Sequence, residues 1–263
     1  MYKRSFTITT ALTCTLSWMT LGPAHADEWW HDPRVTGDLV FYGGVTEDAF
    51  RASPVGSVNV QFSNGIGVHA QGAIGFGEGD ASTHFGAGFY YRNEMGEIGF
   101  FYSHTSFGDN GFQQRPSIST YAFEAEYYLP VVTLGGSIGV QHAHDHFLQD
   151  NDELWVSLGA SYYANDNLKL SASFARGLEL ETFNLGFEYA PQSINANASG
   201  GYLLSFTGNV YIPTDGDVGF RIGLRVAGGA ECATLIMCDR SGRKNFYGSA
   251  SGSESVTHFS KFK

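Results

Sequence analysis

The 263-residue chain carries 15 basic and 26 acidic residues, a formal charge of −11, and this acidity argues against a nucleic-acid partner. Aromatic residues make up 15% of it and charged residues only 16%, with 34 glycines, a composition suited to strands that face something apolar. Beyond the N-terminal segment no apolar run reaches the length of a membrane helix, so any membrane span must be built from strands.

The first element is a secretory signal peptide over 1–26. Lys3 and Arg4 precede the apolar run 6–21, and Ala24-His25-Ala26 supplies small residues at a cleavage site. A lipid anchor on Cys14 is rejected, because Thr13 is a poor residue before a lipidated cysteine and apolar residues continue through Leu21. Removing 26 of 263 residues leaves 237, enough for one sizeable domain, with 13 basic residues against 26 acidic ones.

From there the dominant signal is a period of two. Ile66, Val68, Ala70, Gly72, Ile74 and Phe76 fall on one face of an extended segment, with His69 and Gln71 on the other. The pattern recurs and predicts twelve strands, at 35–45, 55–63, 66–77, 82–92, 97–106, 118–129, 131–142, 153–164, 168–176, 182–190, 200–210 and 217–227. Segments of about 9 to 11 residues suit tilted strands crossing a bilayer core. Asn64-Gly65, the stretch 93–96, Leu129-Pro130 and Asn165-Asp166-Asn167 are tight turns, each after an even-numbered strand. Longer polar loops at 108–117 and 143–152 follow odd-numbered strands, which places them at the opposite, extracellular rim. Tyr91, Tyr102, Tyr127, Tyr162 and Tyr189 lie near strand ends, where an interfacial aromatic girdle is expected.

With its alternating strands, notably "GFRIGLRV" at 219–226, the chain resembles the Gram-negative outer-membrane β-barrel proteins, porin-like in style, over nearly all of 27–227. The expected fold is all-β: an antiparallel up-and-down transmembrane barrel of about 12 strands, with 14 possible. The resemblance implies residence in the outer-membrane lipid, insertion by the outer-membrane assembly machinery, and passage of small hydrophilic solutes. Barrels of this class usually end in a strand with a terminal aromatic, whereas here a tail at 228–263 follows. Either Cys232 and Cys238 form a disulfide that closes a small loop within a partly disordered tail, or 233–237 and 256–262 are two further short strands. A disulfide excludes a continuous strand there, because six extended residues span about 20 Å.

Candidate chemistry is sparse. In "QHAHDHF" at 141–147, His142, His144 and His146 project to one side of an extended segment and form a weak candidate metal site, against the plainer reading of polar loop histidines. Asp150, Asp152 and Glu153, or Asp215 and Asp217, could hold a calcium ion but lack the spacing of a dedicated loop. No cofactor is implied. No Gly-x-Ser-x-Gly or His-Glu-x-x-His motif occurs, and Ser103-His104 points to opposite faces of a strand, so an enzyme is not expected. If apolar residues face lipid, then Asp38, Arg92, Glu97, Glu124, Glu126, Lys169, Glu188, Arg221 and Arg225 face the lumen. Glu124 and Glu126 would then oppose Arg221 and Arg225 across a narrow pore. Such charges either set ion preference in an open channel or pair into salt bridges that close the barrel. In the second case, the alternative is a structural or surface-interaction barrel whose loops bind a partner or metal ion.

Overall fold

Arg34–Val45 (β1) begins a meander of antiparallel strands in the computed structural model. It continues through Phe50–Gln61 (β2), Ile66–Gly77 (β3), Asp80–Asn93 (β4), Gly96–Ser106 (β5) and Ser117–Leu129 (β6). Val132–His144 (β7), Asn151–Asn165 (β8), Leu168–Gly177 (β9), Leu180–Tyr189 (β10), Tyr202–Pro213 (β11) and Gly219–Gly228 (β12) complete it. Two short helices, Gln192–Asn195 (α1) and Leu235–Ser241 (α2), lie outside the strands. The structure describes residues 33–45, 50–77, 80–107, 117–144, 151–178, 180–195, 201–214, 218–229, 232 and 234–241. The signal-peptide segment, the loop at 108–116, His146, Asp150, Asp215, Asp217 and the candidate strand at 256–262 lie outside them.

Each strand pairs with its sequence neighbours, and β1 closes the sheet by pairing with β12 through Gly37↔Gly228 to Val45↔Phe220. Closure removes every unpaired strand edge, which a lipid environment demands because no water is there to satisfy it. All twelve expected strands are present. The fourteen-strand variant is corrected for its first extra strand, because 235–237 belongs to α2 rather than to a strand.

One boundary differs instructively. β2 starts at Phe50 rather than 55, and Pro54 lies within it. Proline has no N–H for the ladder, and the pairing of β2 with β3 skips Ser53 and Pro54, while on the other side Pro54 still lies opposite Phe41 of β1. The tight turns behave as read: Gly65 takes a left-handed φ of 85° beside Asn64, whose side chain accepts from the Ile66 N–H. These turns share one rim with the two ends of the barrel, termed here the proximal rim. The connection from β10 to β11, which contains α1, is a long segment at that same rim, so not every proximal connection is short.

The alternation resolves into two faces. Outward residues are large, apolar and exposed, including Phe89, Phe123, Ile138, Leu158, Phe187 and Ile222. So many exposed apolar side chains around the barrel would be untenable in water, since each forgoes about 1.5–3 kcal/mol of burial, but they match a hydrocarbon solvent. Tyr91, Tyr127, Tyr162 and Tyr189 form the proximal girdle, joined by Tyr202. Tyr102 sits farther along β5 and packs on Tyr121 of β6 with ring centroids 4.9 Å apart.

Candidate functional site: the barrel lumen and its proximal mouth

The nine residues expected inside the barrel all have inward parity, and eight are buried; Asp38 is half-buried. The structure brings several together. Arg225 Nη1 lies 2.6 Å from Glu188 Oε1, and its Nε lies 3.3 Å from Asp38 Oδ2. Lys169 Nζ lies 2.7 Å from Glu188 Oε2, so one carboxylate bridges two cations on β9 and β12. Ser57 Oγ donates to Asp38 and Ser205 Oγ donates to Glu188, adding neutral donors to the same carboxylates. Arg92 and Glu97 pair across the β4–β5 turn at 2.5 Å.

Arg221 is separate. Its guanidinium lies between the Tyr42 and Tyr211 rings, 4.1 and 4.6 Å from their centroids, a cation–π arrangement that holds a charge away from water. Glu124 and Glu126 are buried on β6. The expected field between these glutamates and the arginines of β12 is therefore modified, because Arg225 is neutralised by its own neighbours.

The distribution along the barrel axis was not anticipated. Except for Arg221, the nine fall in the proximal half, near the ends of β1, β4, β5, β6, β9, β10 and β12 that meet there. The distal half of the inner wall is mainly neutral and polar. Gln71 Nε2 lies 3.0 Å from His84 Nε2, His84 Nδ1 lies 2.9 Å from Thr105 Oγ1, and Gln141 donates to Thr120 at 3.2 Å. Nearer the proximal end His69 Nδ1 lies 2.6 Å from Asn59 Oδ1, and around mid-barrel Trp155 Nε1 donates to Ser137.

Aromatic rings cross the interior as well. Tyr90, Phe101, Trp155, Tyr163 and Tyr211 all point inward and are buried. Tyr90 lies over Gly67 and Phe101 over Gly86, where any Cβ would collide with the ring. These inward rings, with the paired charges, line the inner wall and are shielded from solvent.

Cys232 and Cys238 are disulfide-bonded, as one of the two readings of the tail had it. What sequence reasoning missed is that α2 folds back into the proximal mouth. Asp239 Oδ2 accepts from Lys169 Nζ at 2.8 Å and from Tyr163 Oη at 3.0 Å, and its Oδ1 lies 3.5 Å from Arg225 Nη1. Arg240 donates to the carbonyls of Leu129 and Val132 and lies over the Tyr128 and Tyr163 rings. Beside the helix remains a crevice of about 820 Å³ between Ile236, Met237 and Arg240 on one side and Asn64, Arg92 and Asn93 on the other. A cysteine pair six residues apart signalled the loop; nothing in it signalled the destination.

The histidine cluster lies elsewhere. His142 and His144 share the outer face of β7 at the distal rim, with ring centroids 4.2 Å apart. His142 is engaged by Asp152 from β8, and among the described residues no group of three or more His, Cys, Asp or Glu side chains is placed to hold a metal ion. Glu153, opposite Gln141, belongs to the other face of β8, so it does not converge with Asp152 on a calcium site.

A closed twelve-stranded antiparallel barrel, apolar outside and polar within, is an architecture that bilayers select. The chain has the fold of the outer-membrane β-barrel proteins. Solved structures agree: a KdgM porin in complex with disordered oligogalacturonate superposes with a TM-score of 0.53 at 10% identity, over 72% of this chain and 97% of that one. The translocator domain of the autotransporter NalP from Neisseria meningitidis gives 0.51 at 11% identity, over 83% and 93%. No protein-family model and no curated protein matches the chain. The outer-membrane barrel is thus established as a fold, without a specific family.

Proposed function

We propose that this protein is a porin-like passive conduit for small hydrophilic solutes in the outer membrane, narrow in bore and without catalytic chemistry. The observation that carries the reading is the inner wall. Hydroxyl, amide, imidazole and paired ionic side chains line a shell whose outer surface suits lipid, and a barrel needing only to be stable would fill that space with apolar side chains at lower desolvation cost. KdgM, one of the barrels of like fold, is itself a porin, which agrees with this reading without identifying a solute.

The proximal half would set ion preference. On the wall of that half Asp38, Glu97, Glu124, Glu126 and Glu188 face Arg34, Arg92, Lys169 and Arg225, five carboxylates against four cations. A passing cation is favoured over an anion by that imbalance in a confined space of low dielectric. Chemistry on the solute is not part of the proposal: His84 and Thr105, 2.9 Å apart on the inner wall with Gln71 on the other ring nitrogen, are read as part of its polar lining.

Single-channel recording of residues 27–263 refolded into a planar bilayer tests it. Discrete current steps with a cation-favouring reversal potential are expected. A folded barrel that passes no current at any voltage, even with α2 released from the mouth, contradicts the reading.

A further inference from the structure

We infer that the C-terminal segment Cys232 to Ser241 is a self-supplied stopper, docked in the proximal mouth to hold the conduit shut and able to leave without dismantling the barrel wall. This rests on the conduit reading above and adds its regulation.

The first support is the shape of the wall where the helix sits. Ala190, Leu203 and Ala227 turn inward at the proximal end and join Tyr163 in an apolar collar. Inward apolar residues at the mouth of a hydrophilic passage have no use unless something covers them. Leu235 and the Cys232–Cys238 disulfide fill the collar, and Leu235 is fully buried.

The second support is charge. Lys169 and Arg225 are matched by Asp38 and Glu188, two cations against two carboxylates on the wall itself. Asp239 adds a third carboxylate to a set that already balances. The helix thus gains an ionic anchor from the wall, whereas the wall keeps a complete set of pairs when the helix departs. A structural element of the barrel would leave unpaired charge behind on leaving.

The third support is attachment. α2 is joined to β12 by a short connection through Gly229, and besides the contacts of Asp239 with Lys169, Arg225 and Tyr163 it is tied to rim groups: the Leu235 N–H to the Asp166 carbonyl, Arg240 to the Leu129 and Val132 carbonyls, and Arg92 to the Arg240 carbonyl. None of these carbonyls or donors is a ladder group deep in the sheet, so the sheet survives their loss.

The test uses residues 27–263 and two variants of the same length, Asp239→Arg and the pair Cys232→Ser with Cys238→Ser. Bilayer conductance is recorded alongside trypsin cleavage at 239–241, read in each protein relative to its own urea-unfolded chain because Asp239→Arg adds a trypsin site, so that it reports release of the helix independently of current. The arginine places a third cation beside Lys169 and Arg225. The serine pair alters no strand residue and keeps the test alive if the first variant misfolds. Asp239→Arg should spend about a hundredfold more time open, the scale set by disrupting a buried charge pair in a two-state equilibrium; the serine pair should also open more often than the parent, and both should be cut after Arg240 sooner. Currents equal to the parent's with the helix cut free would overturn the stopper and leave the conduit intact. Silence in every protein with the helix cut free would overturn the conduit and the stopper together. Unchanged resistance to trypsin in both folded variants would show that neither anchor holds the helix, which also overturns the inference.

Discussion

Asp239, on the helix beyond the last strand, lies 2.8 Å from Lys169, which is 70 residues earlier in the chain and inside the barrel. That contact joins the tail to the ionic network of the wall. It also explains how a segment with no strand pattern becomes part of the lumen: the tail supplies a carboxylate and a leucine where the wall offers cations and an apolar collar.

Arg225 is the centre of that network and is 1% exposed. Arg225→Met should lower stability by about 3–5 kcal/mol, because Asp38 and Glu188 then keep their charges in the interior with fewer partners. Reversible urea unfolding in lipid vesicles reads this. A change under about 1 kcal/mol would show that water reaches the site freely.

The outer face is tested by a neighbouring pair. Leu158 points outward near the middle of β8, and Ser157 points inward and is buried. Leu158→Arg should cost about 2–4 kcal/mol of folding free energy in a bilayer, as expected for a basic residue at midplane depth. In detergent micelles, which deform around the charge, the penalty should shrink. Equal stability of Leu158→Arg and the parent in vesicles would mean that this face does not meet lipid.

Gly86 permits Phe101 to lie across the inner wall. Gly86→Val should destabilise the barrel by about 1–3 kcal/mol through overpacking, and Phe101→Ala combined with it should recover part of the loss. Additive effects in this double-mutant cycle would show that the ring has another resting place.

Glu124→Gln with Glu126→Gln removes two of the five wall carboxylates of the proximal half while conserving shape. The reversal potential in a salt gradient should move toward anions. Arg221→Glu, which leaves the Arg225 network intact, should move it further toward cations. An unchanged potential in both would remove these residues from the conduction path.

Much of the fold was legible because a lipid-facing barrel imposes the same period of two on every strand. Phe123, Ala125 and Tyr127 alternating with Glu124 and Glu126 admit one orientation only, and the tight turns at Asn64-Gly65 and Asn165–Asn167 fixed where strands reverse. The start of β2 was obscured by Pro54, which is tolerated because the neighbouring β1 still pairs with the strand. The inward charges were legible one at a time, but their partners were not: Arg225 finds Asp38 across 187 residues, and only barrel closure brings β1 beside β12. α2 was illegible for another reason. A seven-residue helix has too little length to show a 3.6-residue period, and its partners lie on distant strands. His142 and His144 do share a face as read, but that face is the outer one, and Asp152 arrives from the adjoining strand.

The most direct measurement is solute flux through vesicles carrying residues 27–263 with Asp239→Arg, using neutral sugars of increasing size. The account predicts entry of the smallest sugars, a sharp cut-off at larger ones, and much slower entry with the unsubstituted chain. Correctly folded barrels that admit no sugar of any size, with the helix shown by trypsin to be released, would contradict it.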